Sequence, residues 1–359
     1  MSKTSTFQPA WASPPGATVA DILREQQLSV SAFAEQMHWS LTYTKELIGG
    51  TAPLTDEAAG RLAARLGASA DFWICREGQY QEALQRLSRQ ELLDWVKSLP
   101  IKDMLRAGWI ADAADLVAEC LRYFNVADLV AWRRRYATPL AAAAFHTSPT
   151  FALQPAPVAA WLRYGELAAE RQECQPWNPT LLQSLLPDLK RLTKQKDPLI
   201  FLPQLTALCA QCGVALVVAR APTGCVASGA TKFVAPDRAL LMLSFRYLTD
   251  DQFWFTFFHE VGHLLLHGPD QLFLEGAGKD MWDERKETEA NTFSADVLIP
   301  PALQPQLKLI SLTQRGIVAF AVKAGVSSGI VIGQLQHLGR IRHQQYNSYK
   351  RRYEWPDQR

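Results

Sequence analysis

Thr249-Asp250-Asp251-Gln252-Phe253-Trp254-Phe255-Thr256-Phe257-Phe258-His259-Glu260-Val261-Gly262-His263-Leu264-Leu265-Leu266-His267-Gly268 is the segment from which the rest of this 359-residue chain is best read. Thr249 followed three residues later by Gln252 predicts a capping box, and Asp250 and Asp251 favour the positive end of a helix. Gly268 and Pro269 supply a stop, because glycine tolerates positive φ and proline cannot continue the helix. The aromatic residues Phe253, Trp254, Phe257 and Phe258 leave little polar surface, so the helix is expected to be long and mostly buried.

On such a helix His259 and His263 stand four residues apart and project from one face. Two imidazole nitrogens placed that way suit one tetrahedral zinc ion. Glu260 is rotated around the axis and fits a general base that takes a proton from water at the open coordination position. A third ligand should come from a second helix, predicted over residues 285–297 with Ala290, Phe293 and Val297 inward. At about 100° per residue, Glu287 lies roughly 60° from the centre of that stripe and Glu289 roughly 100°. Glu287 is therefore the expected ligand, with Glu289 in reserve. Asn291, one turn after Glu287, can hold a ligating histidine, and His267 is expected to support the site from behind.

Working outward, the hydrophobic period changes near Val214. Residues 214–218 and 239–243 read as buried strands, 232–234 as another, and either of the last two could offer an edge to an extended peptide. Helix dominates from Thr249 onward, and the aromatic residues Tyr346, Tyr349, Tyr353 and Trp355 should pin the basic tail to the domain. This carboxy-terminal part, residues 197–359, is an α+β domain. Residues 78–196 read as a helical connecting and oligomerisation region, in which Arg133, Arg134 and Arg135 mark a solvated helix face. Cys209 and Cys212 form a lone CxxC, read as two thiols packing a helix.

Residues 1–77 carry four short helical signals. One runs over residues 21–27; Ser31, Ser40 and Thr55 can cap the next three, and Gly49-Gly50 and Gly67 end the last two. Two short helices joined by a tight turn in a small all-α bundle form a helix-turn-helix. The fold class is thus α+β and mostly helical. A formal charge of +2 makes no global demand for nucleic acid or an anionic membrane as partner. The opening MSKTSTFQPAWASPPG has no apolar core of a secretory signal, and six cysteines fit free thiols, so the expected location is the cytoplasm, with no membrane partner.

The segments FTFFHEVGHLLLHG and ETEANTFSADVLIP resemble the ImmA/IrrE family of zinc metallopeptidases, whose pattern is HExGHxxxH, then ExxA(N/D)xF(A/S), then a hydrophobic pair and proline. The resemblance spans roughly residues 201–300. It implies a gluzincin-like domain with His259, His263 and Glu287 on zinc, Glu260 as base, and a regulatory protein such as a repressor or toxin–antitoxin partner as substrate. The front of the chain is similar to the helix-turn-helix of HigA-type antitoxins and related XRE-family regulators. The matching residues are Pro15-Gly16, Ile22 to Glu25, Ser31 to Ala34 and LTDEAAGRLAARLGASADFW from Leu54. That similarity implies operator DNA as partner, a homodimer, and a DNA-facing set of Ser40, Thr42, Tyr43, Thr44 and Lys45. His38 occupies the inter-helix turn where glycine is common. The front is acidic, with Asp and Glu outnumbering Lys and Arg, so phosphate attraction must come from local placement and from dimerisation. The alternative reading is a non-proteolytic, antitoxin-like repressor whose zinc domain serves as sensor or scaffold.

Overall fold

The computed structural model describes residues 9–140, 155–244, 246–268, 272–275 and 284–354. The chain divides into two compact units, Met1–Trp95 and Val96–Arg359.

Unit 1 is built from α1 (Pro15–Glu25), α2 (Val30–Met37), α3 (Leu41–Gly49), α4 (Asp56–Leu66) and the start of α5 (Ala70–Ser98). Helix α1 begins six residues before the expected start, because Pro15 takes the first helical position, where its missing N–H costs nothing. The cap of α2 is Ser29, not Ser31: the Ser29 hydroxyl accepts from Ala32 N at 3.2 Å, and Ser31 lies inside the helix. Ser40 and Thr55 cap α3 and α4 as their positions predict. Val19, Leu23, Phe33, Leu47, Leu62 and Trp73 close the small core. Between α2 and α3 the chain turns at His38, whose φ is +53°.

Unit 2 continues with α6 (Ile101–Arg106), α7 (Leu116–Phe124), α8 (Leu129–Trp132) leading into a π-turn (Arg133–Ala137), α9 (Pro155–Arg171), α10 (Pro179–Arg191) and α11 (Pro198–Gln211). The strands are β1 (Val214–Val218), β2 (Gly229–Ala235), β3 (Arg238–Leu243) and β4 (Phe273–Glu275); α12 (Asp250–Leu266) precedes β4. After β4 come α13 (Glu284–Leu298), α14 (Gln304–Leu307), α15 (Gln314–Ala324) and α16 (Ser328–His337). This is an α+β arrangement, mostly helical, with one mixed sheet in the order β1-β3-β2-β4. Strand β3 pairs in parallel with β1 and antiparallel with β2, so residues 239–243 have a neighbour on each side and offer no edge. Strand β2 is covered by β4 over Gly229 to Thr231.

Alternation along β2 sorts the two faces of the sheet. Lys232 turns to α9, where its Nζ meets Glu166 at 2.8 Å; Thr231 turns to α12, where its hydroxyl meets Glu260 at 3.0 Å. The α12 face holds the main core, with Leu216, Leu241, Leu243, Phe257, Phe258 and Ile332 buried together. On the other face the buried Glu166 is surrounded by Lys232, Arg163, Arg135 and the Tyr136 hydroxyl, which together hold its carboxyl below the usual range against the upward push of burial. Arg133, Arg134 and Arg135 are all exposed, and Arg135 also reaches back to Glu166. Cys209 and Cys212 are buried free thiols.

The start of α12 departs from the expected capping box, since the Thr249 side chain caps nothing. Thr249 instead forms a β-bridge with Arg352, and the chain's tail straps across the helix end. Asp250 accepts from Ser327 Oγ at 2.6 Å and from Arg351 N at 3.0 Å, Asp251 pairs with Lys350, and Tyr353 reaches Trp254. No single helix among the described residues is long and apolar enough to cross a membrane.

A non-glycine residue in the left-handed region costs about 1–2 kcal/mol, and glycine removes most of that cost. His38→Gly is therefore expected to stabilise unit 1 by about 1 kcal/mol. Amide hydrogen exchange over residues 15–66 of the full chain checks it; unchanged or faster exchange would show that the turn is not strained.

Candidate metal centre

The site is assembled where α12 crosses α13. Gly262 makes the crossing possible: a Cβ there would stand 3.1 Å from Phe293 Cδ1 and 3.3 Å from Ala290 Cα, so the two helices meet almost backbone to backbone. Ser294 fastens the contact by donating its hydroxyl to Phe255 O at 2.8 Å. The histidine face of α12 is thereby held against the Glu287–Asn291 face of α13.

His259 and His263 are completely buried, and their Nε2 atoms lie 2.9 Å apart. Glu287 closes a triangle, with one carboxylate oxygen 3.3 Å from His259 Nε2 and the other 3.3 Å from His263 Nε2. Donors about 2.1 Å from a tetrahedral zinc stand about 3.4 Å from one another, which the two distances to Glu287 match, while the imidazole pair at 2.9 Å would open by about 0.5 Å to take the ion. The opposite ring nitrogens are already engaged. His259 Nδ1 meets Asn291 Oδ1 at 3.1 Å, and His263 Nδ1 meets His267 Nδ1 at 3.0 Å, which leaves both Nε2 atoms facing the gap. His267 in turn touches Glu289 at 3.1 Å, and Glu289 is held by Arg285 at 2.7 Å. Glu289, the reserve ligand, thus faces His267 and lies outside the triangle. Among the described residues His259, His263 and Glu287 are the one group of three such side chains that could hold a metal ion.

Protonation states match the same use. Burial pushes the His263 imidazole below its ordinary range, favouring the neutral ring whose lone pair a metal needs. Burial pushes the Glu287 carboxyl up, but hydrogen bonds and charge from His259 and His263 outweigh it and keep the group ionised.

Glu260 is also completely buried, and sits on the sheet side of the helix. Its Oε2 accepts from Thr231 Oγ1, and Gly229 lets β2 come close: a Cβ there would stand 2.4 Å from Glu260 Oε1. Phe273 of β4 stacks on His263 at 4.1 Å with an interplanar angle of 16°. Neither Thr231 nor Phe273 was legible beforehand, since a threonine in a strand and a lone phenylalanine carry no motif. The period-2 alternation of β2 was the only available signal for Thr231.

In unit 1 the residues of the expected DNA-facing set do not share one surface. Thr42 and Lys45 are exposed and Tyr43 is half-buried, stacked edge-on against Trp39. Thr44 is completely buried and donates its hydroxyl to Ser40 O at 3.0 Å, so it cannot reach a ligand. The Ser40 hydroxyl accepts from Tyr43 N at 3.0 Å, as a helix cap does.

No curated protein matches the chain. A solved structure of a candidate antidote protein of a plasmid maintenance system from Nostoc punctiforme aligns at 28% identity, over 24% of this chain and 93% of that one, with a TM-score of 0.23. Residues 218–332, which hold all three donors and Glu260, match the peptidase family M78 model described as an IrrE N-terminal-like domain.

Proposed function

We propose that unit 2 is a zinc-dependent endopeptidase and that the chain as a whole is a cytoplasmic transcriptional regulator which cuts a specific regulatory protein, a repressor or a toxin–antitoxin partner. The observation that carries the reading is the convergence of His259 Nε2, His263 Nε2 and the Glu287 carboxylate within reach of one ion, next to a buried carboxylate that is not one of the donors. The match of residues 218–332 to a peptidase family supports it.

In this reading His259, His263 and Glu287 hold zinc, and Asn291 and His267 orient the two imidazoles. Zinc, when bound, supplies Lewis acidity toward a carbonyl oxygen and makes water easier to deprotonate. Glu260 takes the proton from the attacking water and passes it to the leaving amine, as a general base that becomes a general acid. Thr231 fixes the carboxylate by donating to Oε2, and Phe273 keeps the His263 ring from tilting. Burial of His259, Glu260 and His263 keeps bulk water from them, which strengthens the interactions they make.

Exposed Thr42 and Lys45 with partly exposed Tyr43 on the short capped helix α3 support operator binding by a dimer of the chain. The second reading, a non-proteolytic repressor with a zinc sensor domain, draws on that same helix and separates cleanly by experiment.

Four outcomes are expected. Glu260→Gln keeps stoichiometric zinc by metal analysis but loses cleavage by about 10²–10⁴-fold, seen as a protein fragment present only in cells with the native chain; equal fragment levels would leave the sensor reading in possession. Asn291→Ala weakens zinc binding about 10–100-fold and Glu287→Ala weakens it further, whereas Glu289→Gln has the smaller effect; protein that holds no zinc even after supplementation removes the enzyme reading. Gly262→Val forces α12 from α13 and lowers zinc affinity without touching a ligand, as competition with a chromophoric chelator would report. Lys45→Ala together with Tyr43→Ala abolishes a salt-sensitive gel shift on the gene's own upstream region, and a shift that survives both changes places DNA contact elsewhere.

A further inference from the structure

A cavity of about 560 Å³ is walled by the tail of the chain, by the segment leading into α12, and by α16. Its size falls within the ~300–1,000 Å³ of sites that enclose small molecules. Backbone pairing builds the first two walls. Tyr353 N donates to Leu248 O at 2.8 Å and Asp250 N to Arg351 O at 3.0 Å, so the tail lies extended beside residues 248–250. Side chains of an extended segment alternate. Arg351 turns one way, to the carbonyls of Thr193, Lys194 and Gln195, and Tyr353 turns with it to Trp254. Lys350 and Arg352 are left on the other side, and both line the cavity.

The lining combines a braced wall with uncommitted donors. Gln336 of α16 is 5% exposed; its amide nitrogen donates to Gln345 O at 2.9 Å and meets Asn347 Oδ1 at 3.0 Å, and its oxygen accepts from Lys350 Nζ at 2.7 Å. Lys350 is thus committed to Gln336 and Asp251, and holds the wall in place. The Arg352 side chain is exposed and enters no ion pair among the described residues. His343 also lines the cavity and is exposed, and the Thr249 hydroxyl caps nothing. Among the described residues none of those lining the cavity is acidic, and residues 339–353 hold five Lys or Arg and no Asp or Glu. An anion that enters therefore meets donors and a positive local field, with no carboxylate in the lining to repel it. Tyr247 lines the same space with 55% of its surface exposed, which offers an aromatic face for a planar ring.

We infer that this cavity binds a nucleotide, with its phosphate on Arg352, His343 and the Thr249 hydroxyl and its base on Tyr247. Arginine suits a phosphate because its planar fork can hold two oxygens at once. The inference is independent of the peptidase reading, since none of these residues belongs to the metal centre. A bound nucleotide would bridge the tail and the start of α12, and so tighten the strap on the helix that carries the histidines.

Calorimetric titration of the full chain, stripped of metal so that phosphate has no ion to bind, tests it at low salt. The titrants are the four nucleoside monophosphates, the matching nucleosides and inorganic phosphate. At least one nucleotide is expected to bind about tenfold or more tighter than both its nucleoside and inorganic phosphate. Arg352→Gln should bring that nucleotide down to its nucleoside, and Tyr247→Ala should bring it down to inorganic phosphate; both side chains are exposed, so the fold tolerates the changes. Arg342→Gln, exposed and outside the lining, should bind as the native chain does. The inference is overturned if no nucleotide binds at millimolar concentration, or if inorganic phosphate binds as tightly as every nucleotide. It is equally overturned if both cavity variants bind like the native chain, because the nucleotide then sits elsewhere.

Discussion

The contact between Gly262 on α12 and Ala290 and Phe293 on α13 sets the distance on which the rest of unit 2 depends. With a side chain at Gly262 the helix axes would move apart by the thickness of a methyl group or more, and close-packed interiors do not absorb such a change locally. His259 and His263 would then no longer face Glu287 across 3.3 Å, and Asn291 would lose His259. The same crossing fixes the opposite side of α12. Phe257 and Phe258 are driven into the core over β3, and that packing brings Glu260 down onto Thr231. One glycine contact thus determines both the spacing of the two imidazoles from Glu287 and the seat of Glu260.

Such a site gathers unusual polarity into the interior. His259, Glu260 and His263 are at most 1% exposed. Burying each without a partner would cost several kcal/mol, so hydrogen bonding has to be nearly complete. The chain meets this by relays running outward: His259 to Asn291, and His263 to His267 to Glu289 to Arg285, which ends in solvent. The relays also fix which ring nitrogen turns to Glu287, so the groups that make burial tolerable are the groups that aim the imidazoles.

Helix periodicity made most of this legible in advance. The four-residue spacing of His259 and His263 forces a shared face, and the inward stripe of Ala290, Phe293 and Val297 was enough to favour Glu287 over Glu289; in the structure Glu287 lies against His259 and Glu289 against His267. Contacts between elements distant in sequence were not legible. Thr231 meets Glu260 across 29 residues and Tyr353 meets Trp254 across 99, and neither leaves a local pattern. Local competition misled the reading as well. Ser29 and Ser31 are equally good caps in isolation, and only the hydrophobic register of Phe33, Ala34 and Met37 against the bundle selects the earlier one. Thr44 reads as a surface residue by type, yet its hydroxyl can satisfy Ser40 O within the helix, which lets the bundle bury it at little cost.

The acidic pair at the start of α12 shows how one sequence feature serves two purposes. Placed in the first turn, Asp250 and Asp251 lower the energy of the helix through its dipole, which is all that a local reading assigns them. Exposed acids would do that equally well, so their burial at 0% and 4% needs another cause. Asp250 is occupied by Ser327 and by the backbone of Arg351, and so ties α16 and the tail to the helix on which the histidines stand. Burial pushes the Asp250 carboxyl above its ordinary range, so these hydrogen bonds are formed at a real desolvation cost. Asp251, one residue on, is paired with Lys350 of the tail. The tail is therefore part of the scaffold of the site: it anchors the start of α12, the helix on which the histidines stand, through both carboxylates.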